Sequence, residues 1–288
     1  MMWNRIIWLF ILFLLGKHIC FPKDNDNGNR DVSVVASSRY LELADSADYF
    51  IAHENWNRAE EKIIEALRLE PGNFTNSLLL ANLGLVQTQK GEYTKALESL
   101  TLGLNIAPSS SVLLNNRAHT YLMVDSLAAA ERDLDKSLSI DSVQEWTLQT
   151  RAFLYLQENE LIQAKTLFNK LKNNFPKNNS IYSGLAAIAE YEGNFDIALE
   201  NYKQSLALKP EDDEAREAFI LLLINTDKYT EARNEIKEAL KINPENPMFY
   251  LLRGYLHKLN FRNDEAQADK KIAISKGLDS SYASKLIP

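Results

Sequence analysis

The sequence predicts an all-α fold, a solenoid of about seven helix–turn–helix repeats, and three observations carry that reading. An alanine recurs as Ala59, Ala96, Ala130, Ala164, Ala198, Ala232 and Ala266, at intervals of 34 residues after a first interval of 37. A proline closes most of the same units, as Pro71, Pro108, Pro176, Pro210 and Pro244, with Ser142 and Leu278 in the two remaining places. Between these markers apolar residues fall three and four apart, the spacing of one helix face, and stop at residues that favour turns. Such a period means stacked supersecondary units, each burying its apolar face on its neighbours.

The unit spanning 179–212 is the clearest. Tyr182, Leu185, Ala186 and Ala189 share one helical face; Gly193 and Asn194 break the pattern; Phe195, Ala198, Tyr202 and Leu206 carry the next face, and Pro210 ends it. Ala186 and Ala198 are small enough for two helices to approach closely, and Phe195 and Tyr202 are expected to fill the space between helix pairs. A helix–turn–helix of this period, with Ala and Pro at fixed offsets, resembles the tetratricopeptide repeat, TPR. The resemblance implies a right-handed superhelical solenoid whose first helices line a concave groove for a protein or peptide.

Along the chain, residues 1–20 form a leader. One arginine precedes an apolar run from Ile6 to Leu15, about half the roughly 20 residues a spanning helix needs and suited to a signal peptide. Cys20, the only cysteine, stands directly after it and is a lipidation candidate, as in bacterial lipoproteins. The polar, acidic FPKDNDNGN that follows is similar to the lysine-plus-acidic signals of some Bacteroidetes surface lipoproteins. An ordinary secretory leader and an uncleaved short anchor stay open as alternatives, because Lys17-His18-Ile19 departs from the usual lipobox. Residues 21–38 read as a flexible linker.

The solenoid then occupies 39–278. Repeats begin near Tyr40, Ser77, Ser111, Glu145, Asn179, Asp213 and Pro247, and the first junction, Gly72 to Phe74, is three residues longer than the others. Gly91, Asp125, Asn159, Gly193 and Asp227 share one turn position and all tolerate left-handed backbone. Glu54 and Phe261 break that rule, so repeats one and seven are expected to be less regular. Ile220 stands where other copies have Ala or Gly, which should splay repeat six. Lys270 replaces an apolar residue in the last copy, as an uncovered end demands for solubility. The tail, 279–288, is too short for a full capping helix, leaving the C-terminal edge as a candidate homo-oligomer surface.

Carrying the family's groove positions over copy by copy places Asn116 and His119 in repeat three, Trp146, Gln149 and Phe153 in repeat four, Glu190 and Tyr191 in repeat five, Glu214 and Glu217 in repeat six and Tyr255 in repeat seven. Two readings stay open for Trp146 and Phe153: ligand contacts, or filling for the inside of a tight superhelix. The chaperone-tail clamp of one TPR subclass does not transfer. Asn116 fits its middle position, but Ala81, Leu85, Trp146 and Thr150 stand where its cations and first asparagine should be, and little else would hold a carboxylate.

Composition narrows the function classes. The formal charge is −7, with 39 acidic residues against 32 basic, a balance that argues against non-specific nucleic-acid binding. One cysteine excludes an internal disulfide and a cysteine metal cluster. No histidine pair has metal-ligand spacing, and neither a phosphate-binding loop nor G-x-S-x-G occurs. The expectation is a non-enzymatic scaffold or adaptor without cofactor, exported to the cell envelope as an outer-membrane or periplasmic-facing lipoprotein, and aiding assembly of envelope complexes. A self-associating structural subunit and an enzyme's accessory subunit are the alternatives. Asn73-Phe-Thr75 and Asn178-Asn-Ser180 match the glycosylation sequon, a pattern that arises readily by chance.

Overall fold

In a computed structural model, residues 36–288 are described, and all regular structure among them is helical. Fifteen helices follow one another: α1 Ser38–Ala52, α2 Trp56–Leu69, α3 Asn76–Gln89, α4 Tyr93–Ile106, α5 Ser111–Met123, α6 Leu127–Ile140, α7 Glu145–Gln157, α8 Leu161–Asn174, α9 Ser180–Tyr191, α10 Phe195–Leu208, α11 Asp213–Asn225, α12 Tyr229–Ile242, α13 Pro247–Leu259, α14 Asn263–Ser275 and α15 Ser280–Leu286. The first fourteen are the seven expected pairs. The leader, Cys20 and most of the linker lie outside the described residues. Ser37 and Ser38, placed in the linker from sequence, already belong to repeat one: Ser37 caps α1, and its backbone N–H and Oγ both donate to Glu70 Oε1, at 2.8 and 2.5 Å. No helix among the described residues is long and apolar enough to cross a membrane.

The repeating alanines sit where the period put them. Ala59, Ala96, Ala130, Ala164, Ala198, Ala232 and Ala266 are all buried, and four residues on so are Ile63, Leu100, Leu134, Phe168, Tyr202 and Ile236. Phe195 departs from expectation. As the first residue of α10 it is 47% exposed, so Tyr202 alone fills the space between pairs. Ile220 is fully buried, and α11 and α12 lie less closely along one another than α9 and α10 or α13 and α14, as its bulk predicts.

All seven intra-repeat turns share one geometry, including the two whose residues argue against it. Glu54 and Phe261 adopt φ of 54° and 58°, beside 76° at Gly91 and Gly193 and 57–64° at Asp125, Asn159 and Asp227. Each turn closes with a backbone bond from the following residue to a carbonyl five back, such as Glu92 N to Gln87 O at 2.8 Å and Arg262 N to His257 O at 3.0 Å. This is the Schellman pattern. The end repeats are therefore as regular as the middle ones, because the packed helices impose the turn on whatever residue stands there.

Local asparagine turns account for both sequon matches. Asn73 is buried; its Oδ1 accepts from Thr75 N and Oγ1 at 3.0 and 2.7 Å, and its Nδ2 donates to Glu70 Oε2 at 2.8 Å. Asn178 Oδ1 accepts likewise from Ser180 N and Oγ, at 2.9 and 2.6 Å. Asn-x-Ser/Thr is here a turn that starts a helix, and the Asn73 amide is already engaged inside the fold.

The described residues form two compact units, 36–151 and 152–288, divided within α7. In the first, Tyr40, Leu43, Ile51, Ile63, Leu80 and Val86 anchor one cluster and Leu100, Leu113 and Leu114 another. In the second, Leu251, Ala266, Ala273, Ala283 and Ile287 make a core at the C-terminal end. That cluster corrects the expectation of a weakly capped edge. The tail folds into α15, buries Ile287 to 1% exposure, and its last carbonyls accept from Lys258 Nζ (Leu286 O, 3.0 Å), Lys270 Nζ (Ile287 O, 2.7 Å) and Gln267 Nε2 (Pro288 O, 2.8 Å). Lys270 thus replaces an apolar residue because it ties down the tail, not only because the end faces water.

Candidate functional site

The candidate residues all lie on first helices, and each unit presents its own set. In the 36–151 unit, α5 and the start of α7 contribute. Asn116 is half-buried and its Nδ2 donates to Ala81 O on α3 at 3.2 Å, tying consecutive first helices together. His119 and Trp146, both half-buried, meet edge to face with ring centroids 6.2 Å apart at 86°. Gln149 is 6% exposed, and the clamp-position residues Ala81, Leu85 and Thr150 are buried. The surface offered here is therefore the His119–Trp146 pair, with Met123 exposed one turn after His119 on α5.

In the 152–288 unit Phe153 leaves the candidate set. It is 1% exposed and packs edge-on against Phe168, 5.3 Å between centroids, so of its two readings the core one holds. Tyr191 is the opposite case, 52% exposed at the end of α9. Glu190 beside it turns inward, where Tyr202 Oη donates to its Oε1 at 2.7 Å. Burial pushes the Glu190 carboxyl up to about 7 against the pull of that hydrogen bond, and holds the Tyr202 phenol well above its ordinary value. Tyr255 is half-buried against the C-terminal core.

The start of α11 concentrates carboxylates. Asp212 caps the helix, accepting from Ala215 N at 3.1 Å and from Asn179 Nδ2 at 2.5 Å. Asp213 and Glu217 share the Asn246 amide, whose Nδ2 lies 3.2 Å from Asp213 Oδ2 and 2.9 Å from Glu217 Oε1, while Asn246 Oδ1 caps α13. Burial, reinforced by the neighbouring carboxylates, pushes Glu217 up to about 8; burial chiefly, then Asp212 and Asp213, takes Glu214 to about 7. The structure thus brings Glu214 and Glu217 together and leaves Glu190 to Tyr202. In all three, burial favours the neutral form over the carboxylate, most strongly in Glu217, so this stretch is less readily ionised than its sequence implies.

Sequence reasoning passed over a set of clasps. Arg117 grips Asp133 with two bonds (2.7 and 2.8 Å), and Arg253 grips Asp269 in the same way (2.9 and 2.6 Å). Arg151, one period after Arg117, reaches back to Asp135 at 2.9 Å. An arginine recurring at multiples of the period, with an aspartate sixteen residues on, was the available signal. These bidentate pairs bind first helix to second helix, or one repeat to the next.

Comparison with known proteins agrees with this architecture. Two family models, each described as a tetratricopeptide repeat, match residues 79–110 and 190–254. Among curated proteins the chain is 36% identical over 77 residues to the photosystem I assembly protein Ycf3 of Cyanophora paradoxa, covering 27% of this chain and 44% of that one. It is 23% identical over 161 residues to RNA polymerase II-associated protein 3 of Homo sapiens, covering 54% and 24%. The chain spans less than half the length of these curated relatives. Among solved structures, a tetratricopeptide repeat protein from Parabacteroides merdae superimposes with a TM-score of 0.71 at 26% identity, covering 87% of this chain and 98% of that one. Pseudomonas aeruginosa PilF matches with a TM-score of 0.61 at 19% identity, covering 73% and 95%, a likeness of fold alone.

Proposed function

We propose that this chain, matched by tetratricopeptide-repeat models at residues 79–110 and 190–254, is a non-enzymatic adaptor that binds a protein or peptide partner on the exposed faces of its first helices. One observation supports this reading above the others: Tyr191, His119 and Trp146 keep aromatic surface toward solvent while their neighbours Phe153 and Gln149 are consumed by the fold. An aromatic ring held by a rigid helix loses little freedom on binding, which is what makes such residues effective anchors. The resemblance of part of the chain to an assembly protein is in keeping with a role in building a larger complex. The apolar leader and the lone Cys20 that follows it support a further part of the proposal, that the protein works in the cell envelope on a lipid tether.

Site-specific photocrosslinking tests the reading. A photoreactive phenylalanine at Tyr191 or Trp146 should trap one discrete partner in intact cells, and the same group at Ile162, exposed at the start of a second helix, should not. Equal trapping at all three positions would refute a first-helix binding face.

A further inference from the structure

A separate cleft lies in the 152–288 unit between α12, a second helix, and α13. It measures about 380 Å³ and its walls carry Arg233, Lys237, Arg253 and Arg262, together with His257. Four cations around one small cleft run against the charge of a chain whose formal net charge is −7. Two of them have structural work: Arg253 clasps Asp269, and Arg262 bonds Glu265 through Nε and Nη2 at 2.9 and 2.6 Å. Arg233 and Lys237 do not. Both are exposed, one turn apart on the same face of α12, and among the described residues no carboxylate lies within ion-pair distance of either. Like charges at this spacing oppose the helix slightly, whereas Arg117, Arg151 and Arg216 are all held by acidic partners. His257 registers the local field: its pKa is lowered, first by burial and next by Arg262.

A second observation points to the same place. Phe261 stands between Asn260 and Arg262, both of which line the cleft, and is 92% exposed in left-handed backbone. That conformation costs a residue with a side chain about 1 kcal/mol or more, and five of the six other turns use Gly, Asp or Asn there. An exposed phenyl ring returns nothing to the fold. Strain retained beside a cleft is a reason to look for a ligand.

We propose that this cleft binds an acidic peptide segment of a partner protein, with carboxylates on Arg233, Lys237 and Arg262 and one apolar side chain against Phe261 and the half-buried Leu240. The site is distinct from the first-helix faces and gives the protein a second point of attachment, which raises the avidity of a partner that reaches both.

Fluorescence anisotropy of a fluorescein-labelled Glu-Glu-Leu-Glu-Glu peptide, titrated with the full chain in mild detergent, tests the assignment. Binding should saturate and weaken as salt screens the charges between about 0.02 and 0.2 M. Arg233→Glu with Lys237→Glu should lower affinity about tenfold, two exposed cations being reversed. Phe261→Asn, which suits the turn, should lower it by a smaller factor, and Tyr191→Ala should leave it unchanged. Matching helical circular dichroism melts will show that the variants fold. Absence of saturation with the parent protein, or an unchanged affinity in the double variant, overturns the proposal. So does displacement by inorganic phosphate at equal concentration with no effect of Phe261→Asn, which would make the cleft a site for free anions.

Discussion

Replacing Gly84 with alanine sets two arguments against each other. Ala47, Ala118, Ala152 and Ala186 occupy this place in repeats one, three, four and five, and alanine is favoured over glycine inside a helix by about 1 kcal/mol. On the repeat pattern alone, Gly84→Ala should stabilise. The structure argues the reverse. A Cβ at position 84 would lie 2.6 and 2.9 Å from the two δ-carbons of Leu100 and closer still to its Cγ. Leu100 is fully buried in a cluster with Ala81, Leu104, Leu113 and Leu114, so it has nowhere to swing. Relief requires a poor rotamer or separation of α3 from α4, at about 1–3 kcal/mol. The overlap outweighs the helical gain, and a net loss of about 1 kcal/mol is expected. Urea denaturation followed by far-ultraviolet circular dichroism measures it. The double variant with Leu100→Ala supplies the decisive comparison: the new methyl group should refill part of the cavity, making the pair less harmful than the sum of singles by about 1 kcal/mol or more. Gly84→Ala more stable than the parent, or strict additivity, would refute the close-approach argument.

Two further predictions concern the carboxylates and the leader. A carboxyl whose pKa is raised in the fold binds its proton more tightly folded than unfolded, so its contribution to stability is lost as pH climbs from its ordinary value toward the raised one. For Glu217 that window runs from 4.5 to about 8; Glu217→Gln keeps an acceptor for Asn246 and cannot ionise, so it should match the parent near pH 5 and exceed it near about pH 9, at up to about 1.4 kcal/mol per unit of displacement. An equal difference at both pH values in paired urea titrations would refute the assignment. For the leader, intact-mass spectrometry of membrane-fraction protein should give a chain beginning at Cys20 and carrying acyl chains, lost in Cys20→Ala. An unmodified mass retaining Met1 would remove the lipid tether from the functional proposal.

Much of the fold was legible because the period speaks directly about packing. Seven alanines in register can only mark places where helices touch, and the structure buries every one. What the period could not reveal was the direction of individual side chains at the margins of a face. Phe153 and Trp146 lie seven residues apart on α7, yet one is core and the other half-exposed, because Phe168 on α8 takes the first ring. Glu190 reads as a solvent-facing charge until Tyr202 draws it inward. The tail was misjudged for a related reason: ten residues hold little apolar surface, but Ala283 and Ile287 join the core of the last pair, Tyr282 and Leu286 pack against it, and lysines secure the carbonyls. The cationic cleft was invisible in sequence because Arg233, Lys237, Arg253 and Arg262 come from two helices and a turn, with no common spacing.

The uniform turns bear on how such a chain can change over generations. Any two of them could serve as the joints of a duplication or an excision, since the backbone enters and leaves each with the same left-handed step. A block gained or lost between them would leave the flanking helices in register. The residue at that step lies outside the core, so although left-handed backbone favours Gly, Asp and Asn, a module can take another residue there at a modest cost. Glutamate at 54 and phenylalanine at 261 are what such freedom looks like: the joint is kept and its outward sign rewritten, so that a repeated architecture can carry unrepeated messages on its rim.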